Sequence, residues 1–139
     1  MKRAGAMTIY LAGASADIDR VETLRDELIA AGHSISHDWT ADVRALGNAN
    51  HGLTREQREH AADSCLAGVR ACSVFVLLMP PNTIGTIGAW VEYGFALGER
   101  KRVIVVDDDE RSVMTAALVN RCQRADLVAV LKEIGVNRW

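Results

Sequence analysis

Residues Cys72 to Met79 read CSVFVLLM, the most hydrophobic stretch of this 139-residue chain, and Pro80-Pro81 ends it. An apolar run without polar alternation is typical of a strand that is buried on both faces of a sheet. Two further runs have this character, TIYLA at Thr8 to Ala12 and RVIVV at Arg102 to Val106. We therefore predict three buried strands, each followed by a turn at its carboxyl end.

Helical patterns separate these strands. Apolar residues recur every three or four positions from Asp17 to Ala31, and Gly32 is the expected C-cap. Thr54 and Gln57 have the spacing of a capping box, so a charged helix is predicted from there to about Ala71. Further helices are predicted for the second half of Ile84 to Leu97, closed by Gly98, and for Leu127 to Ile134, flanked by Asp126 and Gly135.

Three segments have weaker patterns. His33 to His37 favours a short second strand, Thr40 to Leu53 is rich in Gly and Asn and favours a loop, and Val113 to Val119 fits either a strand or a helical turn. Strands that alternate with helices indicate an α/β doubly wound, flavodoxin-like fold, with a parallel five-stranded sheet and helices on both faces. We expect a single domain over residues 1–139, with residues 1–7 as a loose N-terminus.

The composition excludes several classes of protein. Sixteen Lys and Arg against eighteen Asp and Glu give a net charge of -2, so the basic excess of a protein that binds a nucleic acid polymer or an anionic membrane is missing. No apolar signal segment precedes Thr8, and no apolar run approaches the ~18 residues of a membrane span. Three cysteines without metal-ligand spacing suggest reduced thiols in a soluble, cytoplasmic protein without a metal site.

Glu92 is the strongest candidate for chemistry. It is the only charged residue in Ile84 to Gly98 (IGTIGAWVEYGFALG), early on a helix whose start faces the carboxyl ends of the strands. In doubly wound sheets, ligands bind outside those ends, where the strand order reverses. A carboxylate in such apolar surroundings is either stabilised by the helix dipole or an arginine, or it is a catalytic group with a raised pKa. Both interpretations remain open on this pattern alone.

Other residues have simpler interpretations when taken singly. Tyr10 lies near the end of the first strand, where a tyrosine usually belongs to the core. The four histidines, His33, His37, His51 and His60, are interpreted as surface or loop residues. The glycines between Ile84 and Gly98 match neither the dinucleotide nor the Walker phosphate pattern, so close helix packing is favoured over ligand contact.

Taken together, four segments resemble the nucleoside 2-deoxyribosyltransferase family and its nucleotide N-glycosidase relatives. The resemblance extends over roughly Thr8 to Val106, and its most specific part is the Glu-x-Gly-x-Ala-Leu-Gly pattern of Glu92 to Gly98. The tyrosine and glycine of the first strand support it independently. The segments are Ile9 to Gly13, Ala67 to Val76, Gly85 to Gly98 and Arg102 to Val105.

The resemblance implies a role for each matching residue. Glu92 corresponds to the family's nucleophilic glutamate, and Tyr10 to the tyrosine that orients it. Thr86 corresponds to an Asp or Ser that touches the sugar or its 5′ group, and the turn Gly13-Ala14-Ser15 to the loop around the sugar. We accordingly expect the substrate to contact Gly13, Ser15, Thr86 and Gly88.

Two departures from the family pattern affect the expected substrate and mechanism. Cys65 occupies the position of a helix aspartate that relatives use near the base, and Asp63 lies two residues earlier, ~200° around a helix. We favour Asp63 as the acid if the helix is offset, and otherwise Trp39 as a base-stacking residue. No arginine closely follows Ser15, as it does in relatives that act on 5′-monophosphates, so a nucleoside is favoured over a nucleotide.

The implied reaction is displacement at the anomeric carbon, with transfer of the sugar to water or to a second base and with no cofactor. The alternative from another class is a degenerate module that binds a nucleotide without chemistry, which the loss of the helix aspartate would suit. The resemblance also implies a homodimer or higher homo-oligomer with shared active sites. Trp90, Tyr93 and Phe95 cannot all face one sheet, so part of this aromatic surface needs a partner subunit or the chain's own loops to cover it.

Overall fold

The computed structural model describes residues 5–47, 52–81, 87–108 and 120–136. Two single-turn 3-10 helices, Ser15–Asp17 and Arg124–Asp126, precede α1 and α5. The elements in chain order are β1 (Thr8–Ala12), α1 (Ile18–Ala30), β2 (Ser34–Ile35), α2 (Trp39–Ala45), α3 (Arg55–Ala71), β3 (Val74–Leu78), α4 (Ile87–Gly98), β4 (Arg102–Val106), β5 (Asn120–Cys122) and α5 (Leu127–Val136).

The five strands form one all-parallel sheet in the order β2-β1-β3-β4-β5. This is the flavodoxin-like order, so the predicted doubly wound α/β fold is confirmed. The chain leaves β1 in one direction through α1 and later crosses to β3 and β4 in the other direction. Right-handed crossovers therefore place α1 on one face and α3 and α4 together on the opposite face, where α3 and α4 contact each other.

The core lies around the three central strands. Every residue of β3 is buried, as are four of the five in β1 and in β4. Continuous burial explains why these strands read as unbroken apolar runs, since both faces are covered by helices. An ion pair of 2.8 Å between Glu27 and Arg124 joins α1 to the turn before α5.

Local chemistry fixes the ends of the helices next to the sheet. Thr54 and Gln57 form the predicted capping box at the start of α3, each side chain accepting from the other's backbone N–H. Gly32, with φ of +98°, ends α1 in the left-handed region, as its sequence position predicts. Gly13 allows close packing of the first turn, because a Cβ there would stand 2.6 Å from Val21 Cγ2.

The prediction of a loop at Thr40 to Leu53 is wrong for its first part, where α2 begins at Trp39 and ends at Ala45. The side chain of Asp38 caps this helix by accepting a hydrogen bond from the Thr40 N–H. Trp39 and Thr40 anchor it in the core. Seven residues give too little periodicity to reveal a helix, and its stability comes from the cap and the tertiary packing instead.

The two ends of the chain also pack differently from expectation. Gly135 lies inside α5 rather than at its end, and a Cβ there would stand 2.7 Å from the Cα of Gly5. Met7 is buried and donates its backbone N–H to His33 Nδ1 at 3.2 Å. Residues 5–7 are therefore packed against the fold, and His33 is buried rather than a surface histidine. The segment Val113 to Val119 lies outside the described residues.

Candidate active site

Chemistry-bearing residues gather where the sheet reverses its strand order. The reversal lies between β1 and β3, so a crevice is expected beyond the carboxyl ends of these strands, at Gly13 and Met79. Tyr10 points from β1 towards the helix layer of α3 and α4, and α4 carries Glu92 in its second turn. The sheet and this helix therefore bring together two residues that are 82 positions apart.

The Tyr10 hydroxyl donates a hydrogen bond to Glu92 Oε2. Tyr10 is fully buried, and its ring stacks on Phe75, its register partner in β3, with ring centroids 5.8 Å apart. Glu92 is partly buried. A rigid donor aimed at a partly buried carboxylate fixes that carboxylate in one orientation, which is what an attacking carboxylate needs.

Burial and polar neighbours act on the Glu92 carboxyl in opposite directions. Desolvation raises its pKa, while the hydrogen bond from Tyr10 and the charge of His37 lower it, and the net pKa lies above the usual value. The pKa of Tyr10 is also raised, mainly by burial and by the Glu92 charge. Tyr10 therefore stays a protonated donor, and the Glu92 carboxyl is its acceptor.

The third neighbour of this pair is Cys65 of α3, not Asp63. The Cys65 thiol is a neighbour of Tyr10, and burial raises the pKa of the thiol. Asp63 is exposed on α3, and the structure does not bring it to Tyr10 or Glu92. The helix is thus not offset, and a thiol rather than a carboxylate faces the pair.

His37 and Asp42 belong to the same edge of the sheet, and the sequence interpretation of His37 as a surface or loop residue missed this. His37 follows β2 directly, and its Nε2 lies 2.9 Å from Asp42 Oδ2 on α2. Position alone could have identified it, because β2 also ends at the ligand-binding edge of a doubly wound sheet. The prediction considered that edge only for the three long strands.

Gly68 of α3 is the point where these side chains meet. A Cβ at this position would stand 2.6 Å from the Cβ of His37 and 3.0 Å from two ring carbons of Tyr10. Ser36 reinforces the contact by donating its hydroxyl to the Gly68 carbonyl at 2.7 Å. The absence of a side chain at Gly68 therefore lets α3 seat both His37 and Tyr10.

The remaining residues that were predicted to bind the substrate lie in several parts of the structure. Trp39 is buried and donates its indole N–H to the Leu11 carbonyl at 2.8 Å, so it holds α2 on β1 and is not free to stack on a base. Gly13 packs against α1, whereas Ser15 is exposed where the first turn begins. Gly88 is exposed in the first turn of α4, with open space around its Cβ position. Thr86 lies outside the described residues.

A cavity of about 340 Å³ opens between α2 and α3, beside His37. Its size is at the lower end of the range for small-molecule sites. It combines amide, hydroxyl and imidazole groups with small apolar side chains. The lining residues are His37, Asp42, Ala45, Leu46, Gln57, His60, Ala61 and Ser64.

No family model matches the chain, and a search of the curated proteins gives no match. In the described part of the chain, no helix is long and apolar enough to cross a membrane. Across the same residues, no group of three or more His, Cys, Asp or Glu side chains is arranged to hold a metal ion. The fold and the site geometry are therefore the basis for any functional conclusion.

Proposed function

We propose that the protein cleaves the N-glycosidic bond of a nucleoside or deoxynucleoside and passes the sugar to a second base or to water. The observation that carries the proposal is the hydrogen bond from buried Tyr10 to partly buried Glu92 at the β1/β3 reversal. The resemblance to nucleoside 2-deoxyribosyltransferases supports it, since Glu92 and Tyr10 match that family's nucleophile and orienting tyrosine.

Glu92 attacks C1′ of the sugar through an oxocarbenium-like transition state, as in retaining glycosidases. The C1′–N bond breaks, its electron pair leaves with the base, and a sugar ester of Glu92 forms. A water molecule or the nitrogen of a second base then attacks C1′ and releases Glu92 as a carboxylate. Tyr10 holds the carboxylate through both steps, and the chemistry draws on no cofactor or metal.

A nucleoside is the favoured substrate class, and a nucleoside 5′-monophosphate is the alternative. Recognition of a 5′-phosphate would call for a free cation beside the sugar loop. The arginine nearest in sequence to the turn at Ser15 is Arg20, and Asp17 binds it at 2.8 Å. This pairing leaves the sugar end without an obvious phosphate ligand from that segment, which supports a neutral substrate.

The test is a panel of deoxynucleosides, ribonucleosides, their 5′-monophosphates and a nicotinamide dinucleotide, assayed for release of free base. We expect release from at least one nucleoside by the wild type and none by Glu92→Gln. Addition of a second free base separates a transferase, which forms a new nucleoside, from a hydrolase, which does not.

A second candidate is a nucleotide-binding module without catalysis. The observation that favours it is Cys65, since a thiol with a raised pKa is a poor proton donor where relatives have an aspartate. Binding of a panel compound with no release of base under any condition would support the module and contradict the enzyme.

We propose further that the protein is a homodimer or higher homo-oligomer with shared active sites, in the cytoplasm. Three free cysteines suit a reducing compartment. Tyr93 is buried, and Arg70 lies over the Phe95 ring at 5.2 Å, so the chain itself covers much of the aromatic surface. The exposed large hydrophobic residues on α4 are instead Ile87 and Val91, one turn apart. A second copy packed there is the arrangement we propose.

A further inference from the structure

His37 is held rigidly at the ligand-binding edge of the sheet. The preceding residue, Ser36, donates its N–H to the Ile9 carbonyl at 2.9 Å and its hydroxyl to the Gly68 carbonyl at 2.7 Å. The Cβ of His37 lies over Gly68, and its Nε2 is bound to Asp42. Backbone, packing and side-chain contacts thus all fix the direction of the imidazole.

The imidazole lines the cavity of α2 and α3, and the Cβ of His37 meets Gly68 beside the ring of Tyr10. Its charge lowers the pKa of the Glu92 carboxyl, to which the Tyr10 hydroxyl donates. Nε2 is taken by Asp42, and within the described part of the chain Nδ1 has no hydrogen-bond partner. A histidine with one nitrogen bound to a carboxylate and the other free is the usual arrangement for proton transfer to a substrate.

We propose that His37, oriented by Asp42, is the acid and base of the reaction at Glu92, and that the departing base occupies the α2–α3 cavity. This inference rests on the proposed function. It supplies the proton donor that exposed Asp63 and the weakly acidic Cys65 thiol do not provide. His37 is then a catalytic residue, and Asp42 is a positioning residue.

His37 recovers in the second step the proton that it donates in the first. As Glu92 bonds to C1′, the C1′–N electron pair passes to the base nitrogen, and the imidazolium of His37 gives that nitrogen its N–H proton. Neutral His37 then takes a proton from the attacking water, or from the N–H of a second base, as C1′ is released from Glu92. Both groups return to their starting protonation states.

The cavity lining suits a planar heteroaromatic ring. Gln57 and Ser64 offer donors and acceptors, while Ala61 and Leu46 offer apolar contact. A base held by a few polar groups in a largely apolar wall matches the common pattern of small-molecule sites. Because the cavity is open to solvent, a base bound there would leave the protein directly after its release.

The dependence of rate on the leaving group tests the proposal. A series of nucleosides with the accepted sugar, whose purine or pyrimidine bases carry increasingly electron-withdrawing substituents, is assayed with wild type, His37→Gln and Asp42→Asn. Loss of a general acid lowers the rate of cleavage by roughly 10²–10⁴-fold for the natural base. We expect His37→Gln to lose that much on the natural base, and much less on the most acidic base, which leaves without a proton.

Two comparisons make the outcome decisive. Glu92→Gln should lose activity equally across the series, and Glu56→Gln, an exposed carboxylate on α3, should match the wild type. Asp42→Asn, which keeps the imidazole, should steepen the leaving-group dependence in the same direction as His37→Gln. An unchanged dependence in folded His37→Gln would overturn the role of His37 while leaving Glu92 as nucleophile. Absence of base release by the wild type would instead reject the proposed function itself.

Discussion

Gly68 of α3 and His37 after β2 are in contact so close that a methyl group on the glycine would stand 2.6 Å from the histidine Cβ. The atom that would have to move is Cβ, which is fixed to the backbone, and not the far end of a flexible side chain. The ring of Tyr10 limits the same space from another direction. One small residue therefore sets the distance between α3 and two side chains of the candidate site.

Gly68→Ala should accordingly displace His37 and Tyr10. We expect a fall in kcat/KM of about 10²-fold, since a misplacement on the order of 1 Å can have that effect, and a loss of roughly 1–3 kcal/mol in the free energy of unfolding from overpacking. Gly98→Ala is the matched control, because its Cβ would meet open space. Equal kinetics in the two variants would show that the Gly68 contact does not position the site.

Tyr10→Phe tests the orienting hydrogen bond. The ring can keep its stacking on Phe75, while Glu92 loses a donor worth about 1.5–3 kcal/mol, so we expect kcat/KM to fall by roughly 10- to 100-fold. The hydrogen bond lowers the pKa of Glu92, so its removal raises that pKa. Because the carboxylate is the reactive form, the rise of kcat/KM with pH should move to higher pH. A profile that stays in place would contradict this role.

The exposed position of Asp63 reverses the favoured sequence expectation that this residue is the acid. Asp63→Asn should change kcat/KM by less than about twofold, because the carboxylate is exposed and away from Tyr10 and Glu92. Cys65→Ala should lower kcat/KM severalfold by removing a polar neighbour of Tyr10, and Cys65→Ser should restore most of it. A loss of tenfold or more in Asp63→Asn would return Asp63 to the site.

The exposed side of α4 tests the oligomer. Val91 is 61% exposed and Ile87 84% exposed, unusual values for aliphatic side chains on one helix face. Sedimentation of the wild type should show a dimer or larger species, and Val91→Lys should dissociate it. Val128→Lys on α5, a residue 41% exposed, is the control and should leave the assembly intact. A wild type that is monomeric at micromolar concentration would contradict the shared site.

What the sequence predicted well is what local patterns determine. β1 and β4 have their predicted bounds, and β3 lies within its predicted run, because strands buried on both faces need continuous apolar residues. The capping box of α3 is a contact over three residues and is equally local. α2 was missed because a tertiary contact, the Trp39 bond to Leu11, stabilises it.

The candidate site shows the same division between residues that local patterns indicate and residues that only tertiary contacts bring together. The sequence indicates Glu92 and Tyr10 as candidates because one is isolated in charge and both belong to the segments that carry the family resemblance. His37, Asp42 and Gly68 lie after β2, on α2 and on α3, and the tertiary fold brings them together. The choice between Asp63 and Cys65 depended on the rotation of α3, which is fixed by where Gly68 meets β1 and not by residues 63 to 65 themselves.

Capture of the sugar on Glu92 is the most direct test of the account. Wild type mixed with its best nucleoside and quenched in acid should give an intact mass increased by one sugar residue, with the mass added to the peptide that contains Glu92. Glu92→Gln should show neither adduct nor base release. Its melting temperature should equal or exceed that of the wild type at neutral pH, because the raised pKa means that the ionised carboxyl destabilises the folded state. An adduct on another residue, or base release by folded Glu92→Gln, would contradict the central claim.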